Sequence, residues 1–164
     1  MRVLGIDPSS QATGFGIIES KGQSYTPVCY GIIAPSRLLP LHQKMNEIRL
    51  ELEKIIETYA PDEVAIENLF YAQNVRTALV LGQVRGAILV AVAAHGCSLH
   101  EYSPLEVKKA VTGYGQADKD QVKTMVMALL ELNDPRMATD ASDALATAIC
   151  HLNTRIFQKL LEEA

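Results

Sequence analysis

Short apolar runs separated by turn chemistry open the chain: Arg2 to Asp7, built on Val3-Leu4-Gly5-Ile6, then Gly14 to Ser20, then Val28 to Ala34. Runs of this length, bounded by Pro-Ser-Ser and Lys-Gly-Gln, predict three strands, and connections this short predict an antiparallel meander. The period then changes. From Leu39 to Tyr59 apolar residues recur at Leu41, Met45, Ile48, Leu52, Ile55 and Ile56 with Lys, Glu and Arg between them, which predicts an amphipathic helix that Pro61 ends. Glu63 to Glu67 returns to a strand pattern, and because a helix precedes it this fourth strand is predicted parallel to the first. Asn74 is placed to cap a helix from Val75 to about His95, Cys97 to Tyr102 reads as a fifth strand, and Pro104 opens a short helix. Helices near Lys119 to Leu132 and Thr139 to Leu161 complete the pattern. The expectation is an α/β fold with a five-stranded mixed sheet, three strands as an antiparallel meander plus two parallel, flanked by helices. No repeat, low-complexity tract or linker divides residues 1–164, so one domain is expected.

Four acidic residues break this apolar pattern. Asp7 closes the first strand and Glu67 the fourth, so both carboxylates lie at the same edge of the sheet if those strands are parallel. Asp140 and Asp143 lie three apart in the alanine-rich TDASDALATAI and share one helix face. A buried, unpaired carboxylate is costly, and a cluster of them calls for counter-cations. Oxygen donors without His or Cys suit Mg²⁺ or Mn²⁺, and two such ions about 3.5–4 Å apart clamp the attacking and leaving oxygens of a phosphoryl transfer. Asp-Pro-Ser-Ser is also good turn chemistry and Asp140 stands where a helix cap would, so Asp7 and Asp140 each have a purely structural alternative. Asp143, one turn into the helix, is past the capping positions.

Composition adjusts the picture in two places. With 48% hydrophobic residues the chain is rich enough for a core. Cys29, Cys97 and Cys150 are odd in number and unpaired in spacing, which predicts reduced thiols in a cytoplasmic protein and neither disulfides nor zinc. His42, His95, His100 and His151 form no metal-ligand spacing and read as surface or core-edge residues. No secretory leader is expected, and the most apolar run, Gly86 to Ala94, is shorter than the roughly 20 residues of a membrane helix. The net charge of −4 speaks against a polyanion partner until the four acids are set aside, since they account for all of it. The stretch from Arg76 to Lys123 is mildly basic.

GIDPSSQATGFGII, AIENLFYAQNVRTALVLGQVRGAIL, VKKAVTGYGQADKDQV and TDASDALATAI, in this order, resemble the RuvC-type Holliday-junction resolvases, within the ribonuclease H-like superfamily. The resemblance covers nearly the whole chain. It implies a Mg²⁺-dependent endonuclease with two ions per site, acting as a homodimer on four-way DNA junctions in recombination and repair, with RuvA and RuvB as partners. It puts the catalytic and metal-binding acids on Asp7, Glu67, Asp140 and Asp143, with Lys108 and Lys119 beside the scissile phosphate. Three positions depart from the family pattern: Ser9, Gln11 and Tyr114.

Phe70 and Tyr71 follow Glu67 in an Asn- and Gln-rich segment, where aromatic faces suit stacking on unpaired bases, and the resemblance favours that role for Phe70 over plugging the core. Lys108, Lys109, Lys119, Lys123 and Arg76 are the candidate phosphate contacts, each of which also reads as a solvated helix residue. Ala78, Gly82, Gly86 and Ala94 recur at multiples of four, giving a face so small that it fits either a dimer seam or close packing on the chain's own sheet. Three rival readings follow from the same residues: a ribonuclease H-like enzyme acting on RNA, an actin-like or kinase-type nucleotide-binding domain, and a non-catalytic junction-binding module.

Overall fold

The computed structural model describes residues 1–22, 24–68 and 74–162. Five strands form one sheet in the order β3-β2-β1-β4-β5, from β1 (Arg2–Asp7), β2 (Thr13–Lys21), β3 (Ser24–Ile33), β4 (Glu63–Glu67) and β5 (Ser98–Tyr102). The meander is antiparallel, and β4 pairs parallel with both β1 and β5. Alternation along the strands sorts side chains onto two faces. Leu4, Ile6, Ile17, Val64 and Ile66 pack under α1 (Leu41–Tyr59) and α2 (Val75–Ala94). Val3, Ile18, Ala65 and Tyr102 face α3 (Pro104–Thr112), α4 (Lys119–Leu129) and α5 (Thr139–Glu162).

Where the boundaries depart from the sequence reading, local chemistry accounts for it. β3 starts at Ser24, before Val28, and tolerates Pro27 because it is an edge strand; the register shifts between Ile17 and Ile18, where Pro27 stands opposite Ile18. α1 begins at Leu41 because Pro40 occupies its cap position, and it ends with Ala60 in the left-handed region at φ 44°, ahead of Pro61. Asn74 caps α2 through its side chain, which accepts from the Thr77 amide. Ser103 with Glu106 and Asp118 with Gln121 form reciprocal capping boxes that start α3 and α4.

α5 lies directly on the sheet, and glycines make that approach possible. A Cβ on Gly5 would fall 2.0 Å from the Ala144 carbonyl oxygen, and one on Gly14 would fall 1.9 Å from that of Asp140. Any side chain at either position would lift the helix off the strands. Ala141, Ala144, Leu145 and Ala148 are consequently buried against β1 and β2.

α2 corrects an expectation. It runs for 20 residues and is long and apolar enough, by length and composition, to cross a membrane, although only 22% of its apolar window is buried within the chain. Val84, Ile88, Ala91 and Val92 hold it to the core, while Val75, Leu79 and Val90 are exposed. Added Cβ atoms at Gly82 and Gly86 meet nothing within 4 Å, so the small-residue face does not serve close packing on the chain's own sheet.

Candidate active site

The parallel pairing of β1 with β4 carries Asp7 and Glu67 to the same sheet edge. Both are fixed by their neighbours. After Asp7, Thr13 closes the turn, its hydroxyl donating to the Ser9 carbonyl and accepting from the Ser9 amide, and Gly14 pairs opposite Asp7. After Glu67, the Asn68 amide donates to the Tyr102 carbonyl at 2.7 Å and its side chain to Glu101 at 3.1 Å, locking the strand end to β5. α5 starts over this edge and brings in Asp140 and Asp143 in its first turns.

Asp7, Glu67 and Asp143 line one cavity of about 270 Å³ with Lys108, Lys119, Pro104, Val107 and Val122. Asp140 opens instead on an adjoining groove with Ser9, Ser10, Gln11 and Arg76. The electrostatics bind the two together. Burial, then repulsion from Glu67, Asp143 and Asp140, pushes the Asp7 carboxyl up to about 8, against the pull of Lys119. Burial and Asp143 likewise raise Glu67, with Lys119 and Lys108 opposing. Lys119 is the first residue of α4, where a cation meets the unfavourable end of the helix dipole, yet its ammonium reaches Asp143 at 2.9 Å. That bond raises the Lys119 pKa against the cost of burial.

The remaining predicted residues separate. Arg76 lines the Asp140 groove, on the approach to the acids. Lys109 lines a different cavity with Tyr102, Glu106, Cys150 and Phe157. Lys123 donates to the Met137 carbonyl and so ties α4 to the segment ahead of α5. Phe70 and Tyr71 lie outside the described residues. Gln11 is exposed at the groove beside Arg76, and Tyr114 lines a separate surface hollow with Asp118 and Gln121.

Sequence reasoning missed one cluster. His151 is fully buried and His100 half-buried, and both meet Glu63 below the same helix. Positions 63, 100 and 151 carry no local spacing; the signal was Glu63 itself, a carboxylate on the face of β4 that turns to α5.

The acid cavity has the donor set of a site for hard divalent cations: carboxylate oxygens only, mutually repelling, without histidine or cysteine among its lining residues. Among the described residues, the lining holds no serine, cysteine or histidine nucleophile. The arrangement suits attack by water on a phosphate diester drawn in by Lys108, Lys119 and Arg76.

Comparison with known proteins follows this geometry. The family described as "Crossover junction endodeoxyribonuclease RuvC" matches residues 3–151. The crossover junction endodeoxyribonuclease RuvC of Caldicellulosiruptor saccharolyticus is 46% identical over 153 residues, covering 93% of this chain and 92% of its own. That of Brevibacillus brevis is 41% identical over 162 residues, covering 99% and 98%. The structure of T. thermophilus RuvC in complex with Holliday junction substrate superposes with a TM-score of 0.89 at 30% identity, covering 95% of this chain and 96% of that one.

Proposed function

The chain belongs to the RuvC family of crossover junction endodeoxyribonucleases, and from that premise we propose that it resolves four-way DNA junctions in recombination and repair, cutting at Asp7, Glu67, Asp140 and Asp143. It is a metal-dependent nuclease with a ribonuclease H-like fold. The observation that carries the site assignment is the convergence of four carboxylates, in which burial and then Glu67, Asp143 and Asp140 lift Asp7 to about 8 beside Lys119. The nucleotide-binding reading loses its support, because relatives named as crossover junction endodeoxyribonucleases match almost the whole chain.

We assign the acids two Mg²⁺ ions per site, with Mn²⁺ as a substitute. Bound there, divalent cations supply Lewis-acid polarisation of the phosphate and activation of water. The chain's own residues do the rest. Asp7, central among the four, loses its proton once its neighbours are neutralised. Asn68 holds Glu67 still through β5. Lys119 exchanges its bond to Asp143 for the phosphodiester and, with Lys108, offsets charge that builds in the transition state. Arg76 tracks the backbone along the Asp140 groove. Phe70 and Tyr71, three and four residues after Glu67, stack on bases opened at the crossover.

Symmetric cutting of two strands needs two sites. The exposed apolar face of α2, with Leu79, Gly82, Gly86 and Val90 open, supports a two-fold homodimer, because so large an apolar patch is costly to leave in water. Leu79→Glu should turn a dimer into a monomer in sedimentation, and a wild-type monomer at assay concentration would remove this seam. RuvA and RuvB are proposed partners by family likeness, and the cytoplasm the proposed compartment.

Cleavage of a labelled four-way junction, beside linear duplex and an RNA–DNA hybrid, with Mg²⁺, Mn²⁺ or chelator, tests the whole reading. Metal-dependent paired nicks confined to the junction are expected. Cleavage of the hybrid with the junction left whole would keep the chemistry and overturn the substrate.

A further inference from the structure

We propose that Glu63, His100 and His151 form a second metal site, for one transition-metal ion of the zinc class, distinct from the acid cavity. The inference does not depend on the junction-cleaving reading.

Glu63 at the start of β4, His100 on β5 and His151 on α5 each offer one ligand atom, and the three lie within 4.8 Å of one another. The Glu63 Oε2 atom is 2.5 Å from His151 Nε2 and 3.6 Å from His100 Nε2. Zinc bonds of about 2.0–2.1 Å in a tetrahedron set ligand atoms roughly 3.3 Å apart, a spacing these two distances bracket. Two imidazoles and a carboxylate select zinc, cobalt, nickel or copper over magnesium.

Two features point to a ligand and not merely to a hydrogen-bonded knot. His100 Nε2 is buried without a hydrogen-bond partner, although its ring has an exposed side. The Tyr102 hydroxyl stands 2.8 Å from His151 Nδ1, the outer partner that a ligating imidazole needs. Without metal, His151 Nε2–H donates to Glu63 and the Tyr102 hydroxyl donates to Nδ1. With metal on Nε2, that proton moves to Nδ1 and the Tyr102 oxygen accepts it. No proton is lost from the ring, and Tyr102 serves either tautomer.

One cation faces the cluster: Arg155 on α5 holds Glu63 Oε1 at 3.2 Å. It leaves Oε2 for the metal but opposes a further positive charge, which predicts that its removal tightens binding. The ion would join α5 to β4 and to the edge strand β5. α5 also carries Asp143 near its start, and β4 carries Glu67 at its far end.

The test titrates Co²⁺ into the full chain with excess Mg²⁺ filling the acid cavity, followed by competition with Zn²⁺. A visible d–d spectrum saturating at a single equivalent, without thiolate charge transfer, is expected. His100→Ala should weaken binding at least about tenfold, Arg155→Gln should strengthen it severalfold, and Zn²⁺ should raise the melting temperature of the parent chain and not of the His100 variant. Both positions are partly exposed, so the variants should fold. Folded parent chain with no saturable cobalt spectrum, or a His100 variant that binds as the parent does, overturns the proposal.

Discussion

Two polar clusters share one helix and one strand, and they are built on opposite terms. At one end of β4, under the first turns of α5, sit Asp143 and Glu67 with Asp7 and Asp140; at the other end of β4, under the middle of α5, sit His151 and Glu63 with His100 and Arg155. Eight residues along the helix and four along the strand separate them, rises of about 12 Å and 13 Å that agree with each other. At the histidine end Glu63 has His151 and Arg155 against its two oxygens, and the carboxylate is offset within the fold. At the acid end four carboxylates face Lys119 and Lys108, and Asp7 is driven to about 8. One end is closed by the chain's own groups and holds the helix down. The other is left short of positive charge, and that shortage is the chemistry: carboxylates that repel one another recruit hard divalent cations, and through them a phosphate.

The largest break in this comparison is Asp7→Asn. Cleavage should fall by at least about 10²–10³-fold, the cost of one preorganised electrostatic group, while junction binding persists in gel shift. Stability should move the other way. A carboxyl raised from 3.8 to about 8 holds its proton in the folded state and not in the unfolded one, so the chelated parent chain loses stability as pH rises across that window. The Asn variant should lack that loss, and Mg²⁺ should restore the parent chain at pH 8. A chelated parent chain whose melting temperature stays level with the variant's across the window would show that the acids do not repel as described.

His151→Leu attacks the closed end. It strands the Tyr102 hydroxyl and one oxygen of Glu63 in a buried place, at about 2–3 kcal/mol. Urea denaturation should show the lower midpoint, and an unchanged midpoint would mean that the cluster does not hold α5.

Between the ends lies the glycine floor. Gly14→Ala drives a Cβ to 1.9 Å from the Asp140 carbonyl oxygen, so α5 must rise, at about 1–3 kcal/mol, and its acids rise with it. Gly86→Ala meets no atom within 4 Å and should instead stabilise the isolated chain by up to about 1 kcal/mol through helix propensity, while loosening a dimer whose seam needs the glycine. Equal effects on melting temperature from the two substitutions would erase the distinction between floor and seam.

The acid end was legible in the sequence because each carboxylate interrupts an apolar period at an element end: Asp7 after Val3-Leu4-Gly5-Ile6, Glu67 after Val64-Ala65-Ile66, and Asp143 past the capping turn. β4 was also legible to the residue, since Pro61 and the acid bracket it. The histidine end was not, because its members are brought together by strand pairing and helix docking, which no local spacing records. α2 was placed as a helix from Val75 to about His95, but the length of its apolar stretch was underread: Gln83 and Arg85 interrupt the run in the sequence, and the Arg85 guanidinium is drawn aside onto Glu101 at 2.5 Å. Lys109 and Lys123 shared the basic stretch with Lys119, but helix rotation sends one to another cavity and the other to the Met137 carbonyl.

Lys119→Gln gives the smallest and most discriminating effect. The Lys119 side chain is 68% exposed, so its pair with Asp143 adds little to stability, about 0–1 kcal/mol, and the melting temperature should barely move. Its charge matters when the phosphodiester gains charge in the transition state. Glutamine keeps the reach and a donor but loses the charge, so single-turnover cleavage should slow about tenfold, roughly 1.4 kcal/mol, with junction affinity nearly retained. Loss of affinity at an unchanged cleavage rate would make Lys119 a ground-state phosphate contact. No change in either would make it a solvated lysine whose place at the start of α4, against the helix dipole, serves only Asp143.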